Sequence, residues 1–342
     1  MLFRQLFDRE TATFTYVLAD EQTREAVIID PVSHQLERDL KYLKELDLDL
    51  RYCLETHVHA DHVTSSGPLS LWTGALIGVS KAAEVACADL ALVEGDRLAF
   101  GRYPLRVLAT PGHTHTCLSY VLDDRMVFTG DALLIRGTGR TDFQSGDAAL
   151  LYRNITEKLF SLGDDVLVYP GHDYRGFSCS TIGEEKRNNP RVSGKSEGAF
   201  VAIMDRLALP APNHIDEALS GNMACGLNAG VAVPDPNALE VDGAWLRAHQ
   251  SKVRIIDVRN AEEFWGELGH IPGAELLPAE GLQQASGAMP KHRAMVMVCR
   301  SGRRGLAATK AMRAQGFSRV WSLRGGMTAW RDVANQTKPV MS

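Results

Sequence analysis

The seven residues from Thr56 to His62 constrain this chain more than any other stretch of its sequence. They read Thr-His-Val-His-Ala-Asp-His and follow the β-rich run Tyr52–Glu55 directly. Such a run predicts a buried strand, so the motif lies in a loop at a strand end. Histidines that alternate in a tight turn can direct several side chains at one point. Imidazole and carboxylate groups gathered in this way are typical of a metal site.

Three further polar loops follow downstream, each directly after an apolar run. They are Thr110–His113, Thr129–Asp131 and Pro170–His172. The four loops together offer the candidate ligands His57, His59, Asp61, His62, His113, Asp131 and His172. Two metal ions held by such a set would generate hydroxide for hydrolysis. One ion held by two imidazoles and one carboxylate would instead suit ferrous iron, and ligand identity alone leaves both arrangements open.

The whole chain has the composition of an ordinary globular protein. Its 342 residues are enough for two domains, and 37 basic against 42 acidic residues give a net charge of −5. This balance gives no electrostatic reason to expect a nucleic acid or a membrane as partner. No apolar run approaches the ~18 residues of a membrane span, and the charged N-terminus lacks a signal-peptide core. We therefore expect a cytoplasmic protein, and the sequence leaves room for a homo-oligomer.

The cysteines have neither paired spacing nor a zinc-ribbon pattern. There are six of them: Cys53, Cys87, Cys117, Cys179, Cys225 and Cys299. Most lie in apolar runs, so we expect them to be packing residues in a reducing compartment. Cys299 differs, because arginines follow it closely in the sequence.

Short β-rich runs fill the first half of the chain. They are Ala26–Asp30, Tyr52–Glu55, Ala75–Val79, Leu105–Ala109, Leu118–Leu122, Met126–Thr129 and Val166–Tyr169. A helix is predicted between the first two runs, with Ser33 as its N-cap. One face of that helix carries Leu36, Leu40, Leu43 and Leu46. Strands with helices between some of them predict two sheets covered by helices.

A change in the amino-acid pattern near residues 229–237 predicts a domain boundary. The segment reads Ala-Gly-Val-Ala-Val-Pro-Asp-Pro-Asn, with two prolines and no periodicity. After it, the strands Val253–Ile256, Ala294–Val298 and Arg319–Leu323 alternate with helical segments, one of them about Arg304 to Gln315. This alternation predicts a parallel α/β domain. We therefore expect domains at residues 1–230 and 238–342, joined by a linker at 231–237.

The first domain resembles the metallo-β-lactamase superfamily, on the pattern Thr-His-x-His-x-Asp-His followed by His113, Asp131 and His172. The resemblance implies an α/β fold in which two sheets form an αββα sandwich. For a dinuclear member it implies that Asp131 bridges one metal on His57, His59 and His113 and another on Asp61, His62 and His172. The superfamily contains hydrolases, nucleases and oxygenases, so the reaction depends on other residues.

Two segments resemble the persulfide dioxygenases, which oxidise glutathione persulfide. Residues 132–144 read Ala-Leu-Leu-Ile-Arg-Gly-Thr-Gly-Arg-Thr-Asp-Phe-Gln, and residues 171–174 read Gly-His-Asp-Tyr, where glyoxalase II usually has Gly-His-Glu-Tyr. Glyoxalase II also adds a helical substrate-binding domain, and nothing between Arg175 and Gly230 indicates one.

The persulfide dioxygenase resemblance also implies roles for individual residues. One ferrous iron would be held by His57, His113 and Asp131, and would bring the persulfide and dioxygen together to yield sulfite and glutathione. The surrounding shell would be His59, Asp61, His62 and His172. Arg140 and Tyr174 would hold the glutathione part of the substrate, since a tripeptide anion needs fixed cationic and hydroxyl donors.

Cys299 begins a loop that runs from a predicted strand to a predicted helix. Loop N–H groups, the helix N-terminus and the guanidinium groups of Arg300, Arg303 and Arg304 all favour an anionic, nucleophilic sulfur there. Cysteine phosphatases need an arginine six residues after the cysteine, but that residue is Gly305.

The shorter Cys-x4-Arg loop resembles that of the rhodanese sulfurtransferases. Further marks of that family are Asp257–Arg259, His270–Ala274, Gly325, Gly326 and Trp330. The resemblance covers residues 238–335. It implies that Cys299 takes sulfur from a donor such as thiosulfate and passes it to a thiol, while the arginines stabilise the donor and the leaving sulfite.

Both resemblances together predict a bifunctional sulfur enzyme. A persulfide dioxygenase would be joined to a sulfurtransferase that works between thiosulfate and glutathione through a Cys299 persulfide. One alternative is a glyoxalase II-like thioester hydrolase with two metals and an appended sulfurtransferase. Another is a sulfur carrier or sensor whose metal is structural. The full ligand set beside open loops argues against a purely structural metal.

Overall fold

The computed structural model describes residues 1–143, 145–207, 215–227, 238–250, 252–287, 289, 293–317 and 319–336. The chain divides into two compact units, Met1–Ser70 with Ala75–Val231 and Leu71–Gly74 with Ala232–Ser342. The predicted linker at 231–237 lies outside the described residues. Within the described ranges, no helix has the length and apolar character needed to cross a membrane.

Two six-stranded sheets form the first unit. The first sheet contains β1 (Leu2–Asp8), β2 (Thr13–Ala19), β3 (Glu25–Ile29), β4 (Asp49–Leu54), β5 (Leu76–Ser80) and β6 (Leu90–Leu92), in that order. The second contains β7 (Arg97–Phe100), β8 (Tyr103–Ala109), β9 (Leu118–Leu122), β10 (Met126–Gly130), β11 (Leu167–Pro170) and β12 (Ser180–Thr181), also neighbours in sequence order. In the first sheet β1 to β3 pair antiparallel and β3 to β6 pair parallel. In the second only β10 and β11 pair parallel.

The αββα sandwich predicted for this unit is confirmed. Tyr16 and Ile29 of the first sheet share one buried cluster with Tyr120 and Phe128 of the second, so the main core lies between the sheets. The opposite face of the second sheet forms another cluster with neighbouring helices, to which Val121, Val127, Val168, Leu151, Phe200 and Met204 belong. Successive residues along a strand of the second sheet face these two apolar environments in turn. This explains the nearly continuous apolar runs in the sequence.

Six helices accompany these strands in the described residues up to 227. They are α1 (Leu36–Glu45), α2 (Ser66–Thr73), α3 (Ala148–Arg153), α4 (Ile182–Asn188), α5 (Glu197–Met204) and α6 (Ile215–Met223). Shorter turns of 3-10 helix lie at Ser33–Gln35, Lys81–Ala83 and Leu159–Leu162, and Asn154–Lys158 is a π turn. The segment after Arg175 therefore contains three helices that the sequence did not reveal. They have only 7, 8 and 9 residues, too few to establish a helical period.

Helix α1 buries Leu36, Leu40 and Leu43 as expected. The prediction that Ser33 caps this helix is wrong. A 3-10 turn over Ser33–Gln35 comes first, and Gln35, which occupies the N-cap position, makes no side-chain cap bond. Its amide donates to Asp8 Oδ1 instead, at 2.7 Å.

The second unit contains the predicted parallel sheet. Its strands are β13 (Glu240–Val241), β14 (Arg254–Asp257), β15 (Glu275–Leu276), β16 (Met295–Val298) and β17 (Val320–Leu323). They lie in the order β13-β17-β16-β14-β15, and all pairs are parallel. The helices are α7 (Gly243–His249), α8 (Ala261–Trp265), α9 (Ala279–Ser286), α10 (Arg303–Ala314) and α11 (Gly326–Gln336).

The structure of the first unit corrects the prediction made for two of its cysteines. Cys87 and Cys225 form a disulfide, whereas both were expected to be packing residues. They are separated by 138 residues, and no local spacing could connect them. The remaining cysteines, Cys53, Cys117, Cys179 and Cys299, form no disulfide, and of these Cys179 is exposed.

Reduction of this disulfide, or the Cys87→Ser substitution, is expected to lower the free energy of unfolding by about 2–4 kcal/mol, because the bond restricts the unfolded chain. Urea unfolding with and without a phosphine reductant measures the loss. Cys179→Ser is the matched control, since it removes an exposed free thiol. Identical unfolding midpoints with and without reductant would contradict the prediction.

Candidate functional site

Four strand ends meet at one edge of the sandwich and bring the candidate ligands together. The loop after β4 supplies His57 to His62, while His113, Asp131 and His172 follow β8, β10 and β11. His57, His113 and Asp131 offer ligand atoms that all lie within 4.8 Å of one another. His59, Asp61 and His62 form a second such group. The convergence predicted from the strand-end loops is therefore present.

His57 is held with one nitrogen free for a metal. Thr56 donates its hydroxyl hydrogen to Asp30 Oδ2 at 2.8 Å. The Thr56 hydroxyl oxygen therefore accepts a hydrogen bond from His57 Nδ1, which lies 3.0 Å away. The hydrogen on Nδ1 leaves a lone pair on Nε2. Burial, together with the neighbouring His59 and His113, lowers the pKa of His57 well below its usual value, so the ring stays neutral.

His113 is oriented by the same logic. Its Nδ1 donates to the carbonyl of Arg140 at 2.6 Å, which leaves Nε2 as the acceptor. The chain passes close to the ring at Gly139, where a Cβ would lie 2.7 Å from His113 Cγ and 2.5 Å from Asp131 O. Only glycine lets the backbone approach this near, so Gly139 fixes the ring position.

Asp131 and Asp61 share His172 between them. His172 Nδ1 lies 2.7 Å from Asp131 Oδ1, and its Nε2 lies 2.9 Å from Asp61 Oδ2. Burial alone would lower the pKa of His172, but the two carboxylates outweigh it and raise that pKa well above its usual value. A histidine that binds carboxylates at both nitrogens has no lone pair for a metal. Asp131 keeps its second oxygen, Oδ2, which faces His113 Nε2 at 3.7 Å.

His59 is enclosed by carboxylates on the side away from the first group. Its Nε2 lies 3.2 Å from Asp30 Oδ1 and 3.5 Å from Glu55 Oε2. Burial opposes the charged ring, but Asp30 and Glu55 prevail and raise the pKa of His59 to about 10. Asp30 and Glu55 were not among the predicted site residues. Both end predicted strands, so the strand-end rule that found the ligands could have found them.

Thr13 forms the wall of the site next to His62 and His172. It is fully buried, and its hydroxyl lies 3.4 Å from His62 Nδ1 and 3.1 Å from His172 Nε2. His62 Nδ1 also lies 2.9 Å from Asp61 Oδ2. Thr13 was not among the predicted site residues, because it lies in a strand that was not predicted.

The two proposed substrate contacts lie beside the metal group in different settings. Arg140 forms a bidentate pair with Asp142, both bonds 2.7 Å long, and its guanidinium lies 4.2 Å from the Phe143 ring centre. Tyr174 is 72% exposed, and its ring lies parallel to that of His172 at 6.0 Å. Tyr174 is therefore open to a ligand, whereas Arg140 already has a carboxylate partner.

One buried side chain from α6 holds the backbone of the metal loop. Asn222 donates to the carbonyls of His59 and His62, at 2.8 Å each, and accepts from the N–H of Thr64 at 2.7 Å. The Asn222 side chain therefore supplies hydrogen-bond partners for three backbone groups of the loop. Its position about 160 residues after the motif explains why sequence analysis missed it.

Asn222→Ala is expected to lower the free energy of unfolding by about 3 kcal/mol, because it leaves buried backbone groups without partners. Metal affinity should fall by roughly 10–100-fold, the effect of losing a group that orients ligands. Denaturant unfolding and metal retention against a chelator measure the two losses. Ser220→Ala, which removes only a hydroxyl on the same helix bonded to Glu217 O, is the control. Equal behaviour of the two variants would contradict the prediction.

Two neutral imidazole nitrogens and one carboxylate oxygen converge in the first group, and this donor set fits a metal cofactor. The residues that orient them, Thr56, the Arg140 carbonyl and His172, complete the shell that such sites require. The first unit therefore carries a metal site.

The cysteine loop of the second unit lies between β16 and α10. Cys299 is 1% exposed, and its Sγ accepts from the N–H of Gly305 in the first turn of α10 at 3.3 Å. The N–H groups of Met327 and Thr328 in α11 bind the carbonyls of Cys299 and Arg300. Gly326 has a φ of +58°, and a Cβ there would lie 2.2 Å from Cys299 O. Two helix N-termini therefore shape this loop around the sulfur.

The three arginines of the loop differ in their surroundings. Arg300 and Arg303 are exposed. Arg304 forms a bidentate pair with Glu263 of α8, with bonds of 2.7 and 2.5 Å. Nearby, Arg259 is buried in a pair with Asp257 and binds the carbonyl of Gly269, so it fixes the end of β14.

Two family models match the chain. The metallo-beta-lactamase superfamily matches residues 8–172, and the rhodanese-like domain matches residues 242–332. One match lies within each of the two units described above.

Similar proteins cover the first unit almost completely. The human protein named persulfide dioxygenase ETHE1, mitochondrial, is 50% identical over 234 residues, which are 68% of this chain and 91% of the human protein. The crystal structure of ETHE1 from Myxococcus xanthus is 54% identical in sequence, with a TM-score of 0.64. The match covers 66% of this chain and 100% of the Myxococcus xanthus chain. A metallo-beta-lactamase structure from Staphylococcus aureus, 23% identical with a TM-score of 0.61, covers 95% of this chain and 98% of its own. At that identity it supports the fold alone.

Proposed function

The chain belongs to the persulfide dioxygenase family of the metallo-β-lactamase superfamily, and we propose that its first domain oxidises glutathione persulfide with dioxygen to sulfite and glutathione. The observation that carries this proposal is the group of His57, His113 and Asp131, whose ligand atoms lie within 4.8 Å of one another. Two imidazoles and one carboxylate on one side of a metal suit ferrous iron and leave positions open for substrates.

We assign one ferrous ion to this domain, held by His57, His113 and Asp131. When bound, the iron would supply adjacent positions for the persulfide sulfur and dioxygen, which turns a bimolecular reaction into an oriented one. The protein's part is to hold the donor atoms still. His172 holds Asp131 Oδ1 at 2.7 Å, so Asp131 Oδ2 would be the carboxylate oxygen available to the metal. His59, Asp61 and His62 would support the loop around the ion without binding it.

Arg140 and Tyr174 are proposed to hold the glutathione part of the substrate. Tyr174 supports this role by its exposure beside His172. For Arg140 a glutathione carboxylate would compete with Asp142 for the guanidinium, since that pair already uses two of its N–H donors. Substrate binding would then exchange one carboxylate for another, at little cost in charge.

The second domain, residues 238–342, is proposed to be a sulfurtransferase. Cys299 Sγ would attack the outer sulfur of thiosulfate, the sulfur–sulfur bond would break, and sulfite would leave with the bonding electron pair. A glutathione thiolate would then take the outer sulfur of the Cys299 persulfide, which restores the cysteine. Helix N–H groups at the loop stabilise the anionic sulfur, and Arg300, Arg303 and Arg304 would attract the anionic donor.

The proposed reactions share their metabolites. The sulfurtransferase of residues 238–342 would form glutathione persulfide from thiosulfate, and the dioxygenase of residues 1–230 would consume it. We place the enzyme in the cytoplasm, where the glutathione pool supplies the thiol that accepts sulfur from Cys299 and takes up the glutathione that the dioxygenase releases.

Oxygen uptake with glutathione persulfide, on protein of known metal content, tests the proposal. We expect uptake that yields sulfite, with about one iron per chain, as a facial set of three ligands requires. Two zinc ions per chain, no uptake and hydrolysis of a glutathione thioester would overturn it in favour of a dinuclear hydrolase.

A further inference from the structure

The disulfide between Cys87 and Cys225 lies close to the side chain that holds the metal loop. Cys225 is three positions after Asn222, in a turn at the end of α6 that spans residues 221–227 and is called the α6 turn below. The N–H of Cys225 donates to the carbonyl of Asn222 at 3.0 Å. Asn222 in turn donates to the carbonyls of His59 and His62. The disulfide and the support of the metal loop therefore belong to one short turn.

The backbone of the α6 turn packs directly against the segment that follows the metal loop. The N–H of Gly67 donates to the carbonyl of Cys225 at 2.8 Å. A Cβ at Gly226, whose φ is +73°, would overlap the carbonyl of Thr64. The N–H of Thr64 is itself bonded to Asn222 Oδ1 at 2.7 Å. A displacement of the turn would therefore take Asn222 away from the loop.

Cys225 has a backbone conformation that its surroundings must hold. Its φ is +53°, in the left-handed region that residues with a Cβ rarely adopt. Such a conformation persists only while neighbouring structure fixes it. The disulfide is one of the contacts that do so, and it ties Cys225 to Cys87, in the segment after Lys81–Ala83. Cleavage of the disulfide removes a covalent restraint from the α6 turn.

The two sulfurs of the disulfide differ in their access to solvent. Cys225 is 2% exposed, whereas Cys87 is half-buried. A thiolate in solution therefore attacks at Cys87 Sγ, and Cys225 Sγ is the leaving group. In the cytoplasmic location proposed above, the disulfides that do form are usually transient and either catalytic or redox-sensing. The position of this disulfide, remote from Cys299 and next to the support of the metal loop, favours a sensing role.

We propose that the Cys87–Cys225 disulfide is a thiol-sensitive switch that determines how firmly the first domain holds its metal. This inference rests on the metal site of the proposed function, but not on the reaction assigned to that site. While the disulfide is intact, the α6 turn is fixed and Asn222 holds the loop. After reduction the turn opens locally more often, and each opening leaves the loop without its support. The metal is then released faster.

The reductant is a small thiol such as glutathione, and the reaction proceeds in two exchanges. A glutathione thiolate attacks Cys87 Sγ, the sulfur–sulfur bond breaks, and Cys225 leaves as a thiolate. A second glutathione thiolate attacks the glutathione sulfur of the mixed disulfide and releases Cys87. The protein gains two electrons, and both new thiols take up the protons that the two glutathione thiols lost. One glutathione disulfide is the other product.

The first test is hydrogen exchange at the Thr64 amide of the metal-free protein, in buffers of graded glutathione to glutathione disulfide ratio. Alkylation of the freed thiols, followed by mass measurement, gives the reduced fraction in each buffer. Reduction is expected to speed exchange at Thr64 by roughly tenfold, with the same midpoint as the alkylation. The amide of Tyr120 in the core strand β9 should stay protected over the same period. Equal acceleration at both amides would mean global unfolding and would contradict the switch.

The second test is the rate at which ferrous iron passes from the loaded protein to an excess of chelator in the absence of oxygen. Reduction is expected to raise this rate by roughly tenfold, the lower end of the effect of losing a group that orients ligands. Reoxidation with glutathione disulfide should restore the slow rate.

Three variants locate the effect in the disulfide and in Asn222. Cys87→Ser should release iron at the fast rate in every buffer. Cys179→Ser, which removes an exposed thiol outside the disulfide, should keep the wild-type response. Asn222→Ala should release iron quickly in both redox states, and reduction should add less than about a twofold increase, because the bonds that it loosens are already gone. The thermal midpoint of each variant establishes that it is folded.

The outcomes separate the switch from the proposed function. Iron release that is independent of the redox buffer, or Thr64 exchange that is equal in both states, would overturn the switch alone. So would full additivity of reduction and Asn222→Ala. Redox-dependent iron release from a protein without persulfide-dependent oxygen uptake would support the switch and overturn the proposed function. A protein that binds no iron in either redox state would overturn both.

Discussion

Asp131→Ala is expected to abolish persulfide-dependent oxygen uptake and to remove iron from the protein. The substitution takes away the anionic member of the ligand group and also the 2.7 Å partner of His172 Nδ1. Loss of an outer partner alone costs about 10–100-fold in affinity or activity. Loss of the ligand itself should therefore cost more than about a hundredfold. Metal analysis and an oxygen electrode measure the two effects.

The specificity of this loss needs two controls. Asp164→Ala removes an exposed carboxylate that pairs with Lys186 and should leave iron content and uptake unchanged. Sulfur transfer through Cys299 should persist in Asp131→Ala. Retention of one iron per chain in Asp131→Ala would contradict the ligand assignment. Loss of sulfur transfer would show instead that the substitution disturbs the whole chain.

Cys299→Ser is expected to abolish sulfur transfer from thiosulfate to glutathione, by about a thousandfold or more, since removal of a covalent nucleophile leaves only binding effects. A serine hydroxyl at neutral pH is a far weaker nucleophile than a cysteine sulfur, and Cys299 Sγ already accepts a hydrogen bond from the N–H of Gly305. The assay is sulfite release from thiosulfate. Oxygen uptake with glutathione persulfide should be nearly unchanged, because the proposed iron ligands all lie in the first unit.

Cys179→Ser is the matched control for this variant, because Cys179 is another free cysteine and is exposed. It should retain both activities. Residual transfer above a few per cent in Cys299→Ser would indicate that another thiol takes the sulfur. Loss of both activities in Cys299→Ser would mean that the two reactions depend on one another.

The sequence predicted those parts of the fold that local pattern determines. All seven runs predicted as strands in the first half of the chain became strands, because their apolar character reflects burial on both faces. The loops after these strands therefore present polar side chains at one edge of the sandwich. The strands Leu2–Asp8 and Thr13–Ala19 were missed. The first is an edge strand of irregular burial, with neither a clean alternation nor an apolar run.

The undetected parts of the site depend on contacts between distant segments. Asn222 reaches the metal loop across about 160 residues, and Cys225, three positions later, pairs with Cys87. Neither has a local signature, since a single buried asparagine or cysteine fits many roles. Arg304 was predicted to face an anion, but its Glu263 partner lies 41 residues earlier. A charged residue in a motif indicates that it attracts an opposite charge, but it does not indicate which charged partner lies nearest to it.

The ligands come from both layers of the sandwich, His57 from the loop after β4 and His113 and Asp131 from loops after β8 and β10. A bound ion would therefore be a cross-link between the two sheets, in the same sense as a covalent staple. Because no such site exists in the unfolded chain, binding free energy adds directly to folding free energy. Metal supply would then govern how long the domain survives proteolysis as well as how fast it turns over, and starvation for the ion would reduce enzyme abundance.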